Sequence, residues 1–158
     1  MCQTQQDKEK ELSFLKLLQT KLVDGLIFTS IESEWETIAS YKECDPIVLC
    51  NEYRSEATFR VVRLDQVKGS YLGTLHLIEK GHQKIAYCGG TASELGMDSE
   101  KGFRKAIDEF NLQVKEKWIF RDPYSIECGK RVLREIRAME DRPTAIFTGS
   151  DEICCWNH

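Results

Sequence analysis

Two hydrophobic periods alternate along this chain, and that alternation restricts the fold more than any other feature. Residues 8–21 place Leu12, Leu15, Leu18 and Leu22 three and four positions apart, the spacing of one helix face, and Asp7 stands where an N-cap belongs. Residues 23–29 form a short apolar run of strand length, and residues 32–41 read as a second helix. Residues 46–50 are a second strand; Pro46 can occupy its first position, where a missing N–H costs little. Residues 60–64 are a third, shorter strand. Residues 66–80 align Val67, Tyr71, Leu75 and Ile78 on a helix that Gly81 ends. A strand over 84–88 closes on Gly89-Gly90. A helix over 99–110 aligns Phe103, Ala106, Ile107 and Phe110, with a short strand over 118–120 behind it. A helix over 125–139 aligns Gly129, Val132, Leu133 and Ile136, and a last strand covers 144–148.

Strands that alternate with helices pair in parallel, through right-handed crossovers. Their near-continuous apolar character predicts strands covered on both faces, so the fold class is α/β with doubly wound parallel sheets. Of the 158 residues 41% are hydrophobic, enough for a core, and the net charge of −4 argues against a surface that neutralises nucleic-acid phosphates. No run approaches the roughly 18 apolar residues that span a bilayer, and residues 1–7 have neither the basic nor the apolar part of a secretory signal, so no membrane role is expected. Seven cysteines, an odd number without a CxxC pair, make neither a disulfide framework nor a zinc site. Cys50 and Cys88 end apolar runs and read as small buried hydrophobes, in keeping with a reducing cytoplasm. His76 and His82 have no metal-ligating neighbours and read as a helix-face and a loop residue; Gly89-Gly90 lacks the spacing of a dinucleotide fingerprint. With no nucleophile set beside a base, the sequence predicts no enzyme, no cofactor and no metal.

Five segments then resemble one family. Val23-Asp24-Gly25-Leu26-Ile27 followed by Pro46-Ile47-Val48-Leu49 resembles a "VDGII…PVVL" pattern. Asp65 and Gly69, then His76-Leu77-Ile78-Glu79-Lys80-Gly81-His82-Gln83-Lys84-Ile85-Ala86 and Gly89-Gly90, resemble "D…G…HLIELGHRKIAFIGG". Gly102-Phe103-Arg104-Lys105-Ala106 resembles "GFRKAL", and Arg142-Pro143-Thr144-Ala145-Ile146-Phe147 with Ser150-Asp151 resembles "RPTAIFAGSD". Each is weak alone. In this order and spacing they are similar to the LacI/GalR family of transcriptional regulators, from about residue 2 to 153. The resemblance implies a periplasmic-binding-protein-like type I core, here incomplete, with residues 1–64 as part of its N-subdomain and 65–153 as part of its C-subdomain. It also implies a small effector, a sugar or sugar derivative, held in a cleft between the two, and a parent that is a cytoplasmic homodimer. A transport-type sugar-binding protein of the same fold is the alternative.

The resemblance also nominates effector-binding residues, each with a plainer structural role beside it. Asp65 could accept hydrogen bonds from sugar hydroxyls, or simply cap the helix that follows. Ser93, Leu95 and Ser99 fall where the family's first C-subdomain loop faces the effector, and backbone N–H groups entering the helix could bind an acceptor. The family commonly carries arginine at the position of Ser99; its absence puts the usual effector class in doubt, and Ser99 is expected to be the helix N-cap. Tyr124 stands where relatives stack an aromatic ring on the effector, and Ser150 and Asp151 follow the last strand toward it.

Both ends depart from the pattern. The helix-turn-helix, hinge helix and first core strand of the family are not represented, so DNA contact is expected only through a missing N-terminal domain. Residues 154–158 match nothing in the family. One extra base after Ile153, followed by codons for Ala-Ala-Gly-Ile, translates as Cys-Cys-Trp-Asn-His, the residues present. The tail is therefore expected to be aberrant, the product of a frameshift; the coding DNA decides, since a downstream frame must encode the rest of the core. Such a chain would carry unpaired sheet edges and be prone to aggregation, with weak effector binding and no operator binding.

Overall fold

The computed structural model describes residues 2–5, 7–44, 46–53, 59–90, 93–121 and 125–151. Its elements are α1 (Lys8–Gln19), β1 (Leu26–Phe28), α2 (Trp35–Ala39), β2 (Ile47–Cys50), β3 (Arg60–Val62), α3 (Gln66–Glu79), β4 (Ile85–Gly89), α4 (Glu94–Glu109), β5 (Ile119–Arg121), α5 (Ile126–Ala138) and β6 (Ala145–Thr148), with a 3-10 turn, Glu116–Trp118, ahead of β5. The chain divides into two compact units, Met1–Leu64 and Asp65–His158. Each carries a three-stranded parallel sheet, ordered β1-β2-β3 in the first and β5-β4-β6 in the second.

In the first unit Asp7 caps α1 through the amides of Glu9 and Lys10. The helix ends earlier than its leucine spacing predicts. Lys21 turns into the left-handed region (φ 54°), and the amides of Lys21 and Leu22 close back on the carbonyls of Leu18 and Leu17. Leu22 therefore leaves the helix and is 72% exposed, while Leu15 and Leu18 pack with Phe28, Ile38, Ile47 and Leu49. The remaining buried place on α1 is taken by Glu11. Its carboxylate accepts the amide protons of Glu32 at 3.0 Å and Ser33 at 2.7 Å. Those amides are thereby tied to α1 and the chain stays extended at Glu34, which is why α2 covers only Trp35–Ala39 rather than residues 32–41. The expectation of strands covered on both faces fails in this unit. Its core lies against the face of Phe28 and Leu49, whereas Ile27 and Val62 are 71% and 64% exposed.

The second unit is covered on both faces. Ile85 and Tyr87 of β4 pack against Leu77 and Ile78 of α3 and Phe103 and Ile107 of α4; Ala86 and Cys88 point the other way, to Val132 and Ile136 of α5. Every residue of β4 is buried. Burial pushes the Cys88 thiol up to about 11, with Cys128 adding to the shift, so it is an inert core group. Cys50, in the first unit, is only half-buried. Gly81 (φ 90°) ends α3 as predicted, and Asn111 (φ 53°) ends α4 with the same pair of closing hydrogen bonds. One helix start is corrected. Helix α4 begins at Glu94, and Ser93, not Ser99, is its N-cap, accepting the amide proton of Gly96 at 3.3 Å. The apolar spacing marks where α4 becomes buried, which is one turn and more after it begins.

At the amino-terminal edge of this sheet the Asp141 carboxylate receives Lys84 at 2.6 Å and also Lys115, while the Asp141 carbonyl accepts the indole N–H of Trp118 at 3.3 Å. Nearby His82 meets Thr144 Oγ1 through Nδ1 at 3.0 Å; His76 is exposed on α3. Lys115 first, then Lys84, hold Asp141 down to about 2. A carboxyl that ionises more readily folded than unfolded adds stability above the unfolded value of roughly 3.9, and that contribution disappears as pH falls through the folded value. The wild-type chain is thus expected to exceed D141N in urea midpoint at pH 6 and to lose that advantage as the pH approaches 2. A constant difference over that range would contradict the assignment.

Candidate functional site

In an open α/β sheet a ligand crevice forms at the carboxyl ends of strands whose connections leave to opposite faces. Within the second unit β4 and β5 meet that condition: β4 leads to α4 on one face, and β5 leads to α5 on the other. Helix α3 precedes β4 and packs beside it, so its N-terminus lies at the same end. There Asp65 is exposed and caps α3, its carboxylate accepting the amide proton of Lys68 at 2.9 Å. Exposed Ser93 caps α4, and exposed Ser125 caps α5 through the amide of Cys128 at 3.3 Å. Ser150 and Asp151, both exposed, follow β6 after Gly149, whose amide binds the Cys88 carbonyl at 2.8 Å. Asp65, Ser93, Ser150 and Asp151 therefore share one end of the unit, and Leu95 is half-buried in the first turn of α4. Ser125 has the same placement and was not singled out from the sequence, because serine before a helix reads as a cap and nothing more. Tyr124 lies outside the described residues.

Ser99 differs from the others. It is 8% exposed, six residues into α4, and its hydroxyl lies 2.8 Å from that of Ser70 on α3. Tyr87 belongs to the same buried cluster. Its hydroxyl donates to the Gly96 carbonyl at 3.4 Å, and burial raises the phenol more than the neighbouring Ser99 hydroxyl lowers it. Thus Ser99 holds two helices together from behind the strand ends and does not open onto them.

Arg121, at the end of β5, is already engaged. It meets Glu100 through two donors at 3.0 and 2.8 Å and Glu116 at 2.8 Å, and Arg104 binds the same two carboxylates. Partial burial works against the Glu100 charge, but Arg121 and Arg104 overcome it and hold Glu100 below the usual carboxylate range; Arg121 is raised by Glu100 and Glu116. Two guanidiniums and two carboxylates cancel, so this network joins β5 to α4 and presents no unused charge. A groove of about 610 Å³ runs beside it, lined by Val67, Met97, Glu100, Lys101 and Arg104 among others, and none of the residues nominated from the sequence lines it. No group of three metal-ligating side chains occurs among the described residues.

The first unit has a carboxyl end of its own, where the sequence nominated nothing. Asn51 follows β2 in the left-handed region (φ 58°), and its amide donates to the Val62 carbonyl at 2.8 Å, joining the ends of β2 and β3. Just beyond, the Arg63 guanidinium lies 3.9 Å from the ring centroid of buried Tyr53. Ten positions separate the two residues, so no local motif marks the pair; the available signal is an aromatic and an arginine each following a strand-length run.

Residues 2–156 match the model of a family described as periplasmic binding proteins and the sugar binding domain of the LacI family. The chain is 42% identical over 152 residues to the NTD biosynthesis operon regulator NtdR of Bacillus subtilis, covering 96% of this chain and 46% of that one. The chain spans about half the length of the curated relatives it matches. Its structure is similar to that of the transcription regulator CcpA of Lactococcus lactis, with a TM-score of 0.83 at 25% identity, covering 97% of this chain and 56% of that one. It is also similar to a LacI family transcriptional regulator from Lactobacillus casei with bound glucose, with a TM-score of 0.79 at 26% identity, covering 96% of this chain and 58% of that one; the same regulator has also been solved with bound sucrose.

Proposed function

Because this chain belongs to the family of periplasmic binding proteins and LacI-type sugar binding domains, we propose that it is effector-binding core of a LacI-type transcriptional regulator and takes a sugar or sugar derivative. The observation that carries the reading is the shared placement of Asp65, Ser93, Ser150 and Asp151 at the carboxyl end of one parallel sheet. Carboxylate and hydroxyl oxygens there can accept from and donate to sugar hydroxyls. Ser99 contributes indirectly, by fixing α4 against α3. In this reading the first unit is part of the N-subdomain and the second part of the C-subdomain, and the working regulator is a cytoplasmic homodimer. A helix-turn-helix segment, not among these residues, reads the operator. No helix among the described residues is long and apolar enough to cross a membrane. Regulators among the relatives, NtdR and CcpA by name, favour this over a transport-type sugar-binding protein and over an enzyme.

Calorimetric titration of the chain with glucose and sucrose, extended to a panel of mono- and disaccharides, tests the reading; a panel that binds nowhere ends it. Asp65 supplies the sharper experiment, because its two roles separate chemically. Asparagine caps a helix about as well as aspartate, so D65N should keep folding stability within about 0.5 kcal/mol. Replacing a charged acceptor by a neutral one should weaken sugar binding about tenfold or more, given the roughly 1.5–3 kcal/mol of a hydrogen bond to a charged group. Unchanged affinity would leave Asp65 as a cap alone.

A further inference from the structure

We infer that Tyr87 is a positioning residue of the effector site: its hydroxyl, reaching past the end of β4, fixes the first turn of α4 and so places Ser93 at the carboxyl end of the second sheet. The inference rests on the effector reading above and deepens it, and it lies wholly within the second unit.

The hydroxyl has no packing reason to be there. Tyr87 is fully buried, its ring centroid 5.2 Å from that of Phe103 and 6.1 Å from that of Phe147. Phenylalanine would make the same ring contacts, whereas a buried hydroxyl costs free energy unless it is hydrogen-bonded. Its bond goes to the Gly96 carbonyl at 3.4 Å, nine residues further on and across the connection from β4 to α4. Burial raises the phenol, so it keeps its proton and stays a donor at neutral pH.

Gly89 makes that reach possible. A Cβ there would stand 2.4 Å from the Tyr87 hydroxyl oxygen and 2.6 Å from the ring carbon that bears it. The ring therefore leans along the sheet toward the carboxyl end of β4, over a residue with no side chain. Gly89 is needed for room and not for a left-handed backbone, since its φ is not positive. At the other end of the contact, Gly96 is the residue that Ser93 caps. Its amide donates to Ser93 Oγ at 3.3 Å, and the Met97 amide donates to the Ser93 carbonyl at 3.1 Å. The Tyr87 hydroxyl, the Gly96 backbone and Ser93 thus form one line from the middle of the sheet to a hydroxyl at the candidate site. The Ser70–Ser99 bond sets α4 against α3, and Tyr87 sets the start of α4 against β4.

The test uses the whole chain as wild type, Y87F, G89A and I136V, titrated calorimetrically with glucose, sucrose and the rest of the saccharide panel. Y87F keeps the ring and loses only the hydroxyl; G89A keeps the hydroxyl and pushes the ring aside. Each should weaken whichever sugar the wild type binds by about fivefold, roughly the worth of one neutral hydrogen bond. I136V trims the core on the other face of the sheet and should lower the urea midpoint with affinity unchanged. Hydrogen exchange reads the positioning directly. In Y87F the Gly96 and Met97 amides should exchange about fivefold faster, while Phe110, at the far end of α4, keeps its rate. Wild-type affinity in Y87F or in G89A overturns the inference and leaves the sugar reading intact. Exchange that is unchanged, or faster along the whole of α4, also overturns it, as does an affinity loss in I136V equal to that in Y87F. Each of these makes Tyr87 a core residue like any other. A wild type that binds nothing in the panel counts against the sugar reading, and the inference falls with it.

Discussion

Replacing Glu11 by alanine is expected to destabilise the first unit by about 3–4 kcal/mol, a large share of what a small domain has. The side chain is fully buried, and each carboxylate oxygen accepts one backbone N–H of the segment between β1 and α2. Hydrogen bonds to a charged group are worth roughly 1.5–3 kcal/mol each, and removing the acceptor leaves two amides with no partner. E11Q should fall between wild type and alanine, since a carboxamide accepts one amide proton but turns an N–H toward the other. Urea unfolding followed by circular dichroism measures the loss, and hydrogen exchange at the Glu32 and Ser33 amides localises it. Exchange at those two positions unchanged in E11A, with a urea midpoint near wild type, would show that the carboxylate holds nothing.

Glu11 also shows where sequence reasoning stops. Leu12, Leu15 and Leu18 announce a helix because large apolar residues recur at its period, and the prediction of α1 rests on that spacing and on Asp7 as its cap. A glutamate in the first turn of a helix is ordinarily a surface residue that favours the helix dipole. Only the return of residues 32 and 33, more than twenty positions later, makes it a core group. The strands were legible for the same reason as the leucines: runs such as residues 84–88 are apolar throughout, and β4 is buried throughout. In the first unit the same kind of run misleads, since Ile27 is apolar yet 71% exposed.

The candidate site was legible unevenly. Asp65 precedes a helix, can be found from capping chemistry alone, and is a cap; Ser93 was nominated only through the resemblance, and it too is a cap. Ser99 was misread because capping chemistry cannot tell a serine at a helix start from one six residues inside. The distinction depends on Ser70, 29 positions away, whose hydroxyl is its partner. Arg63 and Tyr53 escaped altogether, since their pairing is made by two strands lying side by side.

The contact between α3 and α4 carries the other large effect, and glycine at two positions there predicts opposite signs. The buried residues of α3 are Ser70 and Thr74, small and polar, so the helix approaches α4 far more closely than its Val67, Tyr71, Leu75, Ile78 stripe suggests. Gly102 of α4 sits at the approach. A Cβ there would stand 2.2 Å from the Val67 carbonyl oxygen and 2.9 Å from Ser70 Cβ. The first of these is backbone, so relief requires moving a helix, and the Ser70–Ser99 bond of 2.8 Å would open with it. Alanine in a helix ordinarily gains about 1 kcal/mol over glycine. Overpacking a tight contact costs about 1–3 kcal/mol and occasionally more. For G102A the clash is with backbone and should take the upper end of that range, so it should win with a net loss of about 2 kcal/mol. Gly69 is the control on the neighbouring helix. Nothing lies within 4 Å of the Cβ it lacks, so G69A should stabilise the chain by about 0.5–1 kcal/mol. Urea midpoints of the two variants against wild type decide the matter. If G102A proved as stable as G69A, the helices would have to be further apart than the structure places them, and Ser99 could no longer be the buried link that sets α4, with its cap Ser93, against α3.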